Sequence, residues 1–284
     1  MVELGENHYG KSRVRLLRVK REAGRNALRE WTLEVVVEGD YESCFREGDN
    51  SKILPTDTMK NTAYWLARRS EAHSMEEFAK EFVDFLLARN SQVSCARVKC
   101  WEKIWERLII RDKPDATTFV QSSGERWTTK VERDRRGSFQ VASGLENLVI
   151  MKTADSAFEG YIQDSLTTLP PTTDRLLGTS LAATWTYTTA GEDFNLLRKN
   201  IRDLLLESFA THRSKSVQHT LYAMGECVLN HVREVQDIEL TMPNIHCLLV
   251  DLSRFGEDNP NEIFMPIDEP HGHIQARLRR GESR

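Results

Sequence analysis

In the stretch ILPTDTMKNTAYWLA, residues 53–67, a hydroxyl and a carboxylate stand side by side at Thr56 and Asp57. Met59, Ala63 and Leu66 follow at helical spacing, with Lys60 on the solvated face. The pattern predicts a helix from about Asp57 whose first N–H groups are capped by a Thr or Asp side chain. The Thr56 hydroxyl could also handle a proton in a reaction, which calls for polar partners elsewhere. Arg175 in LTTLPPTTDRLLGT, Gln218 in SVQHTLYAM, and Asn244 with His246 in TMPNIHCLLVDL are candidates. Taken singly, each has a plain account: a surface ion pair for Arg175, a polar first-turn residue for Gln218, a satisfied core or edge histidine for His246.

Other chemistries find less support. His271 and His273 in PHGHI would share one face of a strand, but no third or fourth ligand follows, so no metal site is expected. There is no glycine-rich phosphate loop, nucleophile elbow or H-E-x-x-H helix. Five cysteines with no C-x-x-C pair argue against a disulfide framework and for a reducing compartment. No apolar run approaches the length of about 18 residues that marks a membrane span. MVELGENHYGK lacks an export signal's apolar region, and GESR is no peroxisomal address, so a soluble cytoplasmic protein is expected. The net charge of −4 lacks the basic excess of a nucleic-acid binder. Seven Lys or Arg do fall within residues 11–25, but Val14, Leu16 and Val19 interleave them, as in a strand with one solvated basic face.

The elements that must position these residues read as follows. The 284 residues, 39% hydrophobic and 29% charged, suffice for one large domain or two of ordinary size. Strands are expected at 12–22 and 29–40, joined by the turn EAGRNA, then at 95–110, 117–130 and 138–142. SMEE from Ser74 reads as a capping box opening a helix with a Phe78, Phe82, Phe85 and Leu86 stripe. The second half repeats the plan: strands near 145–152 and 181–189, helices from Asp193 and from about Ser216 to Val232, strands at 236–241 and 246–252. Paired strands with helices grouped between them predict an α+β fold, antiparallel sheets with helices packed on one face, in two halves meeting near residue 140.

Six segments add a family resemblance. HYGK, PTDTMKNT, TADSAFEGY, LTTLPPTTDRLLGT, SVQHTLYAMGE and MPNIHCLLVDLSRFG, in that order from about residue 8 to 280, resemble the motifs of the uricases, the cofactor-free urate oxidases. FGEDNPNE is similar to the bacterial type. The resemblance implies tandem tunnelling-fold (T-fold) domains, 1–140 and 141–284, in a homotetramer that closes a barrel-lined tunnel. It implies oxidation of urate by O2 and water to 5-hydroxyisourate and hydrogen peroxide, with neither cofactor nor metal. Sites would lie between subunits: Lys11, Thr56 and Asp57 from one chain, Phe158, Arg175, Val217, Gln218, Asn244 and His246 from its neighbour.

Within that pattern Lys11 and Thr56 form a base and relay, and His246 passes or orients the proton. Thr56 and Asn244 hold the water or oxygen site. The Asp57 backbone, Arg175, Gln218 and the Val217 N–H meet the purine edge, and Phe158 stacks on the ring. Pro170-Pro171 replaces a charged pair of the family pattern and bears on the loop before Arg175; His271, in place of an aromatic, has no implied role. Two alternatives stand beside this reading. A cyclohydrolase-like T-fold enzyme acting on purines or pterins needs a Cys and His metal set that is not visible. A non-catalytic purine-binding T-fold protein would keep the Arg-Gln clamp and lose the Lys-Thr pair.

Overall fold

The structure is a computed structural model that describes residues 2–121, 123–189 and 191–281. Glu282, Ser283 and Arg284, read above for a targeting address, lie outside the described residues. The chain forms two compact units, residues 1–144 with 186–198, and residues 145–185 with 199–284.

In the first unit, β1 (Tyr9–Glu22) and β2 (Arg25–Gly39) form an antiparallel hairpin turning at Gly24, whose φ of +78° suits glycine. The helices α1 (Glu42–Glu47), α2 (Thr56–Arg69) and α3 (Met75–Arg89) follow. Then come β3 (Val93–Lys103), a small separate hairpin of β4 (Glu106–Ile110) and β5 (Lys113–Val120), β6 (Arg126–Asp134) and the start of β7 (Gln140–Lys152). The main sheet runs β1-β2-β3-β6-β7.

The capping box at α3 forms as expected. Ser74 Oγ accepts the Glu77 N–H at 3.1 Å, and the Glu77 carboxylate accepts the Ser74 N–H at 3.2 Å. This sets the helix so that Phe78, Phe82 and Leu86 are buried, with the Phe78 ring 4.8 Å from Trp31 of β2. Phe85 is only half-buried and meets Trp65 of α2 at 5.5 Å. Beneath the sheet lies an ion pair with both side chains fully buried, Glu76 with Arg198, to which the Ser143 hydroxyl donates. The Arg198 guanidinium also rests over the Trp127 ring at 5.1 Å.

The second unit holds the end of β7, most of β8 (Leu177–Tyr187) and most of α4 (Phe194–Thr211). It continues with α5 (Val217–His231), β9 (Val235–Thr241), β10 (Asn244–Leu249), a single 3-10 turn at Ser253–Phe255, β11 (Phe264–Gly272) and β12 (Gln275–Arg279). Its strands run β7-β8-β10-β11, while β9 pairs with β8 and β12. The α5 helix packs its buried Leu221, Met224 and Val228 inward.

The α+β architecture and the antiparallel sheets agree with the sequence reading, and several boundaries do not. The expected strand 95–110 divides into β3 and β4, and 117–130 divides between β5 and β6. The pair 138–142 and 145–152 is one strand, β7. Thr56 does not cap α2, and neither does Asp57: Pro55 takes the cap position, no side chain accepts there, and Thr56 is already the first helical residue. Strands β11 and β12 were not expected at all.

Candidate active site

The first unit brings Lys11, Thr56 and Asp57 to one place through a single tyrosine. Tyr9 opens β1, and its hydroxyl accepts the Leu54 N–H at 2.8 Å, two residues ahead of Thr56. Its ring meets Tyr41 edge-on at 4.8 Å, so the start of β1 is pinned beside the start of α2. At Gly10 the strands approach so closely that a Cβ would stand 2.0 Å from the Val35 carbonyl oxygen, which admits only glycine. Lys11 pairs with Val35, and the register then shifts before Val14 through a bulge that includes Arg13 at φ 59°. A bulge beside a site re-aims the side chains on its flank.

Because no side chain caps α2, its first N–H groups and the Thr56 hydroxyl are not spent on one another. The Asp57 carboxylate is occupied by Lys60 and by Asn61 Nδ2 at 2.9 Å. The hydrogen bond and charge of Lys60 hold it below the usual carboxylate range, with smaller pulls from Asn61 and Lys11. What Asp57 can offer a ligand is therefore its backbone N–H at a helix start, where an anion is favoured.

In the second unit three loop segments are tied into one knot. Ala157 N–H donates to the Ser214 carbonyl at 2.8 Å, and Ser214 N–H donates to the Asp155 carbonyl at 2.9 Å. Phe158 and Thr172 exchange both backbone bonds, at 2.8 and 3.0 Å. The Ser156 N–H reaches Asp174 Oδ1 at 3.1 Å. These bonds fix the segments carrying Phe158, Arg175 and the start of α5. The Tyr161 ring stacks on Phe158 at 4.8 Å and 12°, and its hydroxyl donates to the Leu169 carbonyl. Pro170-Pro171 therefore lies between two anchored residues, Leu169 and Thr172. A cavity of about 610 Å³ opens behind the knot, lined by Asp155, Glu159, Asp174, Arg213 and their neighbours and by none of the expected site residues.

The Arg175 guanidinium stands over the Phe158 ring, 5.2 Å from its centroid. Burial lowers its pKa, with no compensating partner among the causes, and its buried Nε has no hydrogen-bond partner among the described residues. At α5 the Ser216 cap is used by the His219 N–H at 3.1 Å, and the first helical bond comes from Thr220, so Val217 and Gln218 lie ahead of both. The Val217 side chain is buried while Gln218 is exposed. On β10, Asn244 and His246 are two apart across a register shift, with Asn244 Nδ2 3.4 Å from His246 Nδ1. Asn244 Oδ1 is buried and unpaired among the described residues. A flat anion with alternating donors and acceptors would complete such a set.

Lys11, Thr56 and Asp57 thus belong to the first unit, and Phe158, Arg175, Val217, Gln218, Asn244 and His246 to the second. Tyr9, Gly10, Tyr161, Asp174 and Ser214 hold the segments that carry these residues and were not singled out from sequence; only the Tyr-Gly of HYGK and the aromatic spacing of FEGY hinted at them. His271 lies in β11, and among the described residues no group of three or more His, Cys, Asp or Glu is arranged to hold a metal ion.

The family model described as Uricase matches residues 7–132 and 141–275. A uricase of Arthrobacter globiformis is 37% identical over 284 residues, covering 100% of this chain and 92% of that protein. One of Dictyostelium discoideum is 34% identical, with 100% of both chains covered. The crystal structure of the Arthrobacter globiformis uricase superposes with a TM-score of 0.94 at 36% identity, over 100% of this chain and 97% of that one. That of a uricase from Bacillus fastidious gives 0.84 at 25%, over 96% and 93%.

Proposed function

From the premise that this chain belongs to the uricase family, we propose that it is a urate oxidase converting urate, O2 and water to 5-hydroxyisourate and hydrogen peroxide. The observation that carries the reading is Arg175: a half-buried guanidinium over an aromatic face, with a buried donor awaiting a partner. Its planar fork matches a carbonyl and ring nitrogen together. Gln218, which donates and accepts, meets the neighbouring edge, and the Val217 N–H adds a donor of favourable polarity. Phe158 stacks on the purine.

The urate anion is electron-rich and supplies the electrons that reduce O2, so the protein's work is to position the ring and move protons. Lys11 takes the proton, which requires its amine form, and the Thr56 hydroxyl relays because it both donates and accepts. His246 orients or passes the proton. Thr56 and Asn244 hold water or oxygen over the ring, the buried Asn244 Oδ1 accepting from the water, and the Asp57 N–H closes the purine edge.

Lys11, Thr56 and Asp57 come from one protomer and the remaining residues from its neighbour, in a homotetramer of T-fold halves, 1–140 and 141–284, arranged as a barrel. This supplies the exposed Gln218 with a facing surface. The protein acts in the cytoplasm; among the described residues no helix is long and apolar enough to cross a membrane. The test is loss of urate absorbance in chelator-treated buffer, with oxygen uptake and peroxide followed in parallel. Matched loss of urate and oxygen, with peroxide formed, is the expected result. Tight urate binding without oxygen uptake would make the chain a binding protein instead.

A further inference from the structure

At the start of α5 two histidines share one hydrogen bond. His212 Nε2 and His219 Nδ1 are 3.1 Å apart, with the rings edge to face at 4.3 Å. The Lys215 N–H also points at His219 Nδ1, at 3.3 Å. A backbone N–H can only donate, so this nitrogen is the bare acceptor, and His212 must supply the proton between the rings. The turn from His212 to His219 is thus closed by one imidazole nitrogen accepting twice. Gln218 is the residue immediately before it, and Val217 the one before that. His212 is itself anchored, its carbonyl accepting from Lys152 Nζ at 2.6 Å.

We propose that His219, through His212 and Lys215, is a positioning residue that holds the Val217–Gln218 turn for the substrate. The inference rests on the assignment of Val217 and Gln218 to urate. Burial, with His219 and Lys152 nearby, holds His212 below the ordinary histidine value. A lowered histidine contributes its stability above the unfolded value of about 6.5 and loses it as pH falls below that.

Urate kinetics with a thermal melt of each variant test this. His219→Phe removes the acceptor at similar volume and should raise KM about tenfold, with kcat nearly unchanged. His219→Asn places an amide oxygen where Nδ1 stands and should restore the KM. A merely structural role would lower the melting temperature of His219→Phe without a selective rise in KM. An unchanged KM in His219→Phe beside a raised KM in Gln218→Ala overturns the positioning role, as does a KM in His219→Asn as high as that of His219→Phe. An unchanged KM in Gln218→Ala overturns the substrate assignment and the positioning role with it. Should His219→Phe fail to fold, His212→Phe, which removes the donor to the same nitrogen, decides by the same split between KM and kcat.

Discussion

Replacing Arg175 by alanine lowers kcat/KM for urate by about a hundredfold to a thousandfold and leaves the melting temperature unchanged or slightly raised. The two halves of this expectation share one cause. In the free chain the guanidinium is half-buried, its Nε lacks a partner, and burial alone perturbs it. Removing an unpaired buried cation takes away a desolvation cost, so the fold does not suffer. On the proposed assignment, the same group makes charge-assisted, two-pronged contacts with bound substrate. Truncating a charged partner of that kind costs about 3–4 kcal/mol, which is the stated factor. Arg175→Lys should recover only part of it, because a point charge cannot replace the fork. Steady-state kinetics with a thermal melt of each variant check both halves. A large loss of melting temperature would return Arg175 to the role of a structural ion-pair residue.

Lys11→Met and Thr56→Ala should each slow turnover by about two to four orders of magnitude with little change in KM, as for loss of a general base or its relay. Thr56→Ala carries a second, sharper expectation. A threonine that caps a helix loses about 1 kcal/mol of stability on this change. Thr56 is the first residue inside α2 and bonds no cap N–H, so its replacement should leave the melt unmoved. Combining the two variants should cost little more than either alone, since residues acting as a unit are not additive. Turnover equal to that of the parent protein in either variant would sink the base-and-relay pair, and a stability loss in Thr56→Ala would restore the cap.

The parts of this molecule legible in the sequence are those in which local chemistry and tertiary structure agree. The α3 capping box needs only Ser74 and Glu77 at the right spacing, and the inner face of α4 follows the apolar stripe, with one exception. Arg198 lies fully buried on that face because Glu76, 122 residues away in sequence, meets it there, its carboxylate also accepting from Ser143. Such a buried pair has no local signature. The same Ser143, followed by Gly144, made β7 read as two strands, although its hydroxyl is spent inside the core. Strands β11 and β12 escaped because FMPIDEPHGHIQARLR carries two prolines and many polar residues. Both strands lie at the margin of their sheet, where proline is tolerated and one face is wet.

The proposed site was legible in a different way. His246, Gln218 and Arg175 each had an ordinary structural account, and only the ordered motifs joined them. What no motif conveys is how they are held. Asp174 anchors the Phe158 segment through Ser156, Ser214 joins that segment to the start of α5, and Tyr9 brings Lys11 beside Thr56. These are backbone bonds between remote segments, and side-chain spacing does not record them.

The central claim, that one catalytic site draws Lys11 and Thr56 from one protomer and Arg175 and Gln218 from another, is tested most directly by complementation. Lys11→Met and Arg175→Ala chains are each expressed alone and then co-expressed in equal amounts, and urate turnover is measured per protomer. Each alone should be nearly inactive. Random mixing in a symmetric oligomer pairs an intact Lys11 with an intact Arg175 at roughly a quarter of the sites, so turnover should return to roughly a quarter of the parent value. Mixed assemblies no more active than the separate variants would contradict the shared site and place the whole catalytic set within a single chain.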